Sequence, residues 1–233
     1  MSPRRALILA AGRGERMRPL SDTTPKPLLR AGGRMLIEHH LEKLAIAGVQ
    51  EVIINISHLA AQFPAALGDG ARWGVRIRYS DEGPEPLETG GGIKHALPLL
   101  GAAPFIVVSA DIVSDYDYAR LPAEPDGIAH LVMVPNPEFH PQGDFWLDGR
   151  RLNEDGAGER LTFGNIGVYH PEIVAGEAAT RFKLLPMYRR AMRERLLSGE
   201  RHDGCWRNIG TPGQLAELDR MLTAHASGQE HRG

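Results

Sequence analysis

The sequence predicts an α/β fold with a single open mixed sheet flanked by helices. Three observations carry that expectation. Apolar runs of strand length alternate with amphipathic helical stretches as far as residue 112, and short strands with Pro- and Gly-rich separators follow. A length of 233 residues with 42% hydrophobic and 24% charged side chains suits one sizeable core and excludes a disordered chain or a multidomain machine.

Residues 5–11, Arg-Ala-Leu-Ile-Leu-Ala-Ala, form a continuous apolar run, the pattern of a strand buried on both faces of a parallel sheet. The run stops at a glycine loop. Over 35–48, Leu36, Ile37, Leu41, Leu44 and Ala45 fall at helical spacing, with Gly48 as the stop. A second buried strand is expected at 51–56, then a helix at 60–67 and a third strand at 76–79. A helix over 92–100 leads into 104–109, the most hydrophobic strand of the chain. Such β–α repeats imply an open doubly wound sheet with right-handed crossovers. After Asp111 the strands at 130–134, 145–147 and 161–169 read as an antiparallel addition. Helices are expected at 186–197 and 212–224, the second capped by Thr211 with Pro212 in its first turn. One domain over 1–224 is expected, followed by a flexible polar tail at 225–233.

Composition narrows the function. The net charge is −2, from 27 Lys and Arg against 29 Asp and Glu, so no polybasic face is expected and neither nucleic acid nor a membrane is an expected partner. The single cysteine, Cys205, excludes an internal disulfide and a Cys-cluster metal site. The apolar run at 6–11 is too short for a signal sequence, and no stretch approaches the roughly 18 apolar residues of a membrane span. A cytoplasmic location is expected.

The first strand runs into Gly12-Arg13-Gly14-Glu15-Arg16-Met17-Arg18-Pro19. In an open α/β sheet the carboxyl end of a strand is where ligands bind, and glycines let backbone N–H groups turn toward an anion. Arg13, Arg16 and Arg18 add charge suited to phosphates. The loop is neither a Walker loop nor a dinucleotide fingerprint, and plain β–α turns also carry Gly-x-Gly. The next segment, Thr24-Pro25-Lys26-Pro27-Leu28, narrows the choice, because flanking prolines restrict the backbone around Lys26 and present its amine in a nearly fixed position. Three consecutive glycines, Gly90 to Gly92, read as a loop before a helix against which a planar base can lie. Asp111, at the end of the strongest strand, is placed to hold a hard divalent cation against phosphate oxygens.

Residues 9–20 together with Thr24-Pro25-Lys26-Pro27-Leu28 resemble the paired N-terminal signature of the sugar-phosphate nucleotidyltransferases. The resemblance extends from Ala6 to about Leu222. It implies a Rossmann-like, GT-A-like nucleotide-diphospho-sugar transferase fold, with 1–112 as the nucleotide-binding half and 113–224 as the sugar-phosphate half. It further implies that Gly12, Gly14, Glu15 and Arg16 wrap a nucleoside triphosphate, and that Arg16, Lys26 and Asp111 are the catalytic set. Gly90, Gly91 and Ser109 would contact the nucleotide. Asp111 would bind Mg2+, with Asn208 as second ligand where most members carry aspartate. Asp144, Glu159 and Asn165 would contact the sugar. Glu15, where many members have threonine, and the form Leu87-Glu88-Thr89-Gly90-Gly91-Gly92 resemble the uridylyl-transferring branch. The implied reaction moves UMP from UTP to a sugar 1-phosphate, N-acetylmuramate 1-phosphate foremost, as in cell-wall sugar recycling, and is run by a monomer or homodimer. Mannose-1-phosphate guanylyl transfer, glucose-1-phosphate uridylyl transfer and a non-catalytic nucleotide-binding regulator are the alternatives.

Overall fold

The computed structural model describes residues 4–230, with 225–230 given by backbone course alone. The first half runs β1 (Arg5–Leu9), α1 (Leu20–Thr23), β2 (Arg30–Ala31), β3 (Arg34–Met35), α2 (Leu36–Ile46), β4 (Glu51–Ile56), α3 (Gln62–Leu67), β5 (Arg76–Asp81), α4 (Glu88–Leu100), β6 (Phe105–Ser109) and β7 (Ile112–Ser114). The second runs β8 (Ala129–Val134), β9 (Phe145–Asp148), β10 (Arg151–Asn153), β11 (Glu159–Tyr169), α5 (Leu185–Arg193), β12 (Leu197–Arg201), β13 (Trp206–Asn208) and α6 (Pro212–Glu230).

Nine strands form one mixed sheet in the order β5-β4-β1-β6-β11-β8-β12-β10-β9. β1 pairs in parallel with β4 on one side and β6 on the other. The chain therefore works outward from β1 to β5, then crosses back to β6. Neighbouring loops leave β1 and β6 in opposite directions at that reversal, which opens a crevice at the strands' carboxyl ends. Both sheet faces are covered, which is why β1 and β4 read as apolar runs, broken in β4 only by Asn55 between Val52 and Ile56. Ala6 and Ile8 join the core under α2 and α3, whereas Leu7 and Ile53 join the core under α4 and α5. A smaller cluster of Met17, Leu36, Ile209, Leu215 and Leu218 seats α6 against the segment after β1.

The second half differs from expectation in particulars. β11 is antiparallel to both β6 and β8, as the sequence predicts, but β12 is an additional strand parallel to β8. The helix expected over 186–197 ends at Arg193 because Arg195 adopts a left-handed φ of 57° and Leu196 N–H returns to the Ala191 carbonyl, 2.7 Å away. That turn releases Leu197 into the sheet. Gly90 to Gly92 lie inside α4, which begins at Glu88, and do not form a loop. α6 continues past Ala224 to Glu230, so the expected tail at 225–233 starts in helix, and 231–233 lie outside the described residues. No helix among the described residues is long and apolar enough to cross a membrane.

Candidate active site

The crevice at the β1–β6 reversal is a cavity of about 870 Å3, lined by Gly12, Gly14, Glu15, Arg16, Lys26, Ser109 and Asp111 among others. Its size falls in the range of small-ligand sites. Each wall has a local cause. Gly14 has φ 63°, a left-handed geometry that glycine adopts freely, and it starts the tight turn Glu15–Met17. Its carbonyl accepts from Met17 N–H and from the Ser21 hydroxyl, both at 2.8 Å. A Cβ at Gly14 would sit 3.2 Å from Lys26 Cβ, so the loop and the lysine are in close contact. Gly12 has open space on its Cβ side, which leaves that backbone free to approach a ligand.

Pro25 and Pro27 place Lys26 at the start of a short 3-10 turn. From there its Nζ reaches 2.7 Å to Asp111 Oδ2, with the lysine side chain only 12% exposed. Asp111 is fixed from both sides. Ala110 N–H donates to the Leu9 carbonyl at 3.0 Å, and Ile209 N–H donates to the Asp111 carbonyl at 2.8 Å. The second contact belongs to the β7–β13 pairing, which sets Asn208 opposite Ile112 and so next to Asp111. Asn208 Oδ1 is buried and has no hydrogen-bond partner. Asn208 does not itself line the cavity, but an orphaned neutral oxygen one register position from Asp111 is of the type a hard cation accepts. Among the described residues no three His, Cys, Asp or Glu side chains cluster as a metal cage, so an ion held there needs ligand oxygens to complete its shell. Gly210, which follows, lies flat against Arg16: a Cβ there would stand 3.2–3.3 Å from the guanidinium atoms.

Two polar residues absent from the sequence-based set organise the opposite wall. Asn55, 3% exposed, accepts from Ala10 N–H at 2.6 Å and donates to Glu82 Oε1 at 2.6 Å. Glu82 Oε2 accepts from Leu87 N–H at 2.7 Å. This clamp joins the exit of β1 to the entry of α4. Its signal was the lone amide inside the apolar run Val52-Ile-Ile-Asn-Ile56. Arg181 also lines the cavity, and nothing in its local sequence marks it.

The glycines of α4 serve contacts other than the cavity lining. Cβ atoms at Gly90 and Gly91 would stand 2.4 Å from the Phe182 ring and 2.3 Å from the Thr180 carbonyl, and one at Gly92 would stand 2.6 Å from Glu82. The first two let the segment carrying Thr180, Arg181 and Phe182 lie on the helix, where Phe182 O accepts from Gly90 and Gly91 N–H, and the third makes room for Glu82. Glu88 and Thr89 reach the cavity in their place. Glu88 has φ 63°, an unusual conformation for a non-glycine residue at the rim of a site.

The three sugar-side residues separate. Asn165 (φ 56°) occupies an irregularity of β11 directly before Ile166, which pairs with Val108, so it stands beside the Ser109 end of β6. Asp144 is engaged within the fold, with Oδ1 3.1 Å from His140 Nε2 and Oδ2 accepting from Phe163 N–H at 2.8 Å. Glu159 pairs with Arg201 at the far end of β11. None of the three lines the cavity, and only Asn165 borders a residue, Ser109, that does.

A glycine-cradled crevice at the switch point of an open sheet, closed by a lysine and an aspartate, defines an enzyme that handles nucleotides. The family described as Nucleotidyl transferase matches residues 5–132, and the chain belongs to it. Over nearly its full length the chain is similar to two N-acetylmuramate alpha-1-phosphate uridylyltransferases. The Neisseria meningitidis serogroup B protein is 47% identical, covering 94% of this chain and 99% of that one. The Caulobacter vibrioides protein is 34% identical, covering 96% and 99%. HddC from Yersinia pseudotuberculosis shares the fold at TM-score 0.76 and 23% identity, covering 94% of this chain and 99% of that one.

Proposed function

We propose that the protein transfers UMP from UTP to N-acetylmuramate 1-phosphate, releasing pyrophosphate. The observation that carries this reading is the convergence of the Gly12–Arg16 loop, Lys26 and Asp111 on one cavity in a chain that matches two uridylyltransferases end to end. A phosphate oxygen of the sugar 1-phosphate attacks the α-phosphorus. The bond from that phosphorus to the bridging oxygen breaks, and pyrophosphate leaves with the bonding electrons. The attacking oxygen is already anionic, so the reaction needs no protein nucleophile and no general base. Catalysis is then positioning and charge neutralisation.

The loop N–H groups and Arg16 hold the triphosphate, Lys26 meets the charge that grows at the reacting phosphate, and Gly210 keeps Arg16 in place. Asp111 and Asn208 are the residues that would hold Mg2+. A divalent cation there supplies further neutralisation of the phosphates. Of the three sugar-side candidates Asn165, next to Ser109 in the sheet register though outside the cavity lining, is the one this reading keeps for the acceptor. Gly90 and Gly91 act in this reading by shaping the wall that Glu88 and Thr89 present. The activity of the two full-length relatives favours uridylyl transfer over transfer of GMP to mannose 1-phosphate and over a glucose acceptor.

Pyrophosphate release measured over UTP and GTP, against N-acetylmuramate, glucose and mannose 1-phosphates, tests the assignment. Highest kcat/KM with UTP and the muramate, abolished by a chelator, is expected. Equal rates for the muramate and glucose acceptors would refute the acceptor, and turnover with GTP alone would refute the base.

A further inference from the structure

We propose that Arg181 reads the carboxylate that distinguishes N-acetylmuramate from N-acetylglucosamine, which makes it the acceptor-specificity residue of this enzyme. The inference rests on the function proposed above and adds a residue to it. N-acetylmuramate carries a lactyl ether on O3, and its carboxylate is the one negative charge on the acceptor besides the 1-phosphate. A site that selects it needs a cation within the same cavity but away from the phosphate cradle. Among the described residues the cations lining the cavity are Arg13, Arg16, Lys26 and Arg181.

The first three belong to the phosphate side. Lys26 is held by Asp111, Arg16 lies on Gly210, and Arg13 donates to the Pro84 carbonyl at 3.1 Å. Arg181 alone comes from the later half of the chain, on the segment between β11 and α5 that covers the start of α4. Its guanidinium is held only by two long ion pairs, to carboxylates that also line the cavity. The nearest carboxylates, Glu85 and Glu88, stand 3.6 and 3.9 Å away, beyond hydrogen-bond reach, and the arginine side chain is 57% exposed. Ion pairs so long and so wet are weak and give way to a better partner. A ligand carboxylate taken by both arms of the guanidinium is such a partner.

The backbone beneath Arg181, by contrast, is fixed. Phe182 N–H donates to Leu87 O at 3.2 Å, and Phe182 O accepts from Gly90 and Gly91. Lys94 Nζ caps the Glu177 and Ala179 carbonyls just upstream. Because Gly90 and Gly91 carry no side chain, the segment can lie flat on α4 and face Arg181 into the cavity. The Gly90–Gly91 pair in the first turn of the helix is therefore the device that installs the cation.

The test is the ratio of kcat/KM for N-acetylmuramate 1-phosphate to that for N-acetylglucosamine 1-phosphate, with UTP saturating, in the wild type, Arg181→Gln and Arg181→Lys. Losing one charge-assisted bidentate contact should lower the ratio roughly ten- to hundredfold in Arg181→Gln, mainly through the muramate KM. Arg181→Lys, which keeps the charge without the fork, should fall between. A change in this ratio cannot come from a general loss of folding or of UTP binding, because both acceptors share those. A wild-type preference for the muramate that survives unchanged in Arg181→Gln overturns the assignment alone. A wild type indifferent to the carboxylate overturns the acceptor reading and this assignment with it.

Discussion

Lys26 Nζ lies 2.7 Å from Asp111 Oδ2, an ion pair that joins the turn between α1 and β2 to the end of β6 in the wall of the crevice. The pair brings two residues far apart in sequence to one point. In the proposed reaction Lys26 would turn from this carboxylate to a substrate phosphate. Lys26→Ala is expected to lower kcat by about 10²–10³, the range for losing one donor aimed at transition-state charge. Asp111 is 29% exposed and can be hydrated once its partner is gone, so the melting temperature should change little. Near-wild-type turnover in a folded Lys26→Ala protein would remove Lys26 from the reacting centre.

Gly14 sets the distance between loop and lysine. With φ 63° and a Cβ position 3.2 Å from Lys26 Cβ, Gly14→Ala forces a residue that disfavours this conformation against a side chain that must stay put. The backbone cost is about 1 kcal/mol. Displacement of Lys26 should lower kcat about tenfold in addition. Steady-state pyrophosphate release and thermal melting separate the two effects, and unchanged kcat would show that the turn adapts without moving the amine.

Gly91→Ala tests packing in place of chemistry. The new methyl would meet the Thr180 carbonyl at 2.3 Å and Leu87 Cβ at 2.9 Å, both on chain segments that cannot rotate away. Overpacking of this kind costs about 1–3 kcal/mol, only partly offset by the better helix propensity of alanine, about 1 kcal/mol. A fall in melting temperature of several degrees, roughly 2–4 °C per kcal/mol for a chain of this size, is expected. A rise would mean that the segment over α4 is free to lift.

The parts of the site legible in the sequence are those whose signals are local. An apolar run ending in glycines marks β1 and its loop, prolines bracket Lys26, and Asp111 closes the strongest strand. What remained hidden depends on contacts between distant segments. Three glycines favour a loop on propensity alone, yet here the covering residues Thr180 to Phe182 hold them in helix. Leu197 enters the sheet because Arg195 breaks α5, and Ser-Gly-Glu carries little strand signal of its own. Asn55 and Glu82 meet only because β4 and β5 lie side by side, and Arg181 reaches the cavity only through α4.

Asn55→Asp probes the clamp on the nucleotide wall. Aspartate keeps an acceptor for Ala10 N–H but turns the amide that donates to Glu82 into a carboxylate facing a carboxylate, where the present separation is 2.6 Å. Two such groups cannot both ionise at that distance, so one retains a proton near neutrality or the clamp opens. Relative to wild type, the variant should show a raised KM for UTP that grows worse as pH rises from 6 to 8. A KM defect independent of pH would show that the clamp does not couple Glu82 to the site.

Acid should destabilise the fold through His40. This residue is wholly enclosed beside Tyr118, whose hydroxyl is 2.8 Å from its Nδ1, and burial, reinforced by His39 and Lys43, pushes its pKa down to about 3 from an ordinary 6.5. A base with a depressed pKa in the folded state binds its proton more readily when unfolded. Its contribution to stability is therefore complete above pH 6.5 and is lost as pH falls toward 3, at a limiting slope of about 1.4 kcal/mol per pH unit. His39, lowered by burial and by Arg34, pulls the same way. Urea unfolding measured between pH 7.5 and 4 should show stability dropping below pH 6.5. His40→Gln, which keeps an amide beside the Tyr118 hydroxyl but does not titrate, should flatten most of that slope even if it is less stable at pH 7.5. An identical slope in the variant would place the acid sensitivity elsewhere and leave His40 a purely structural partner of Tyr118.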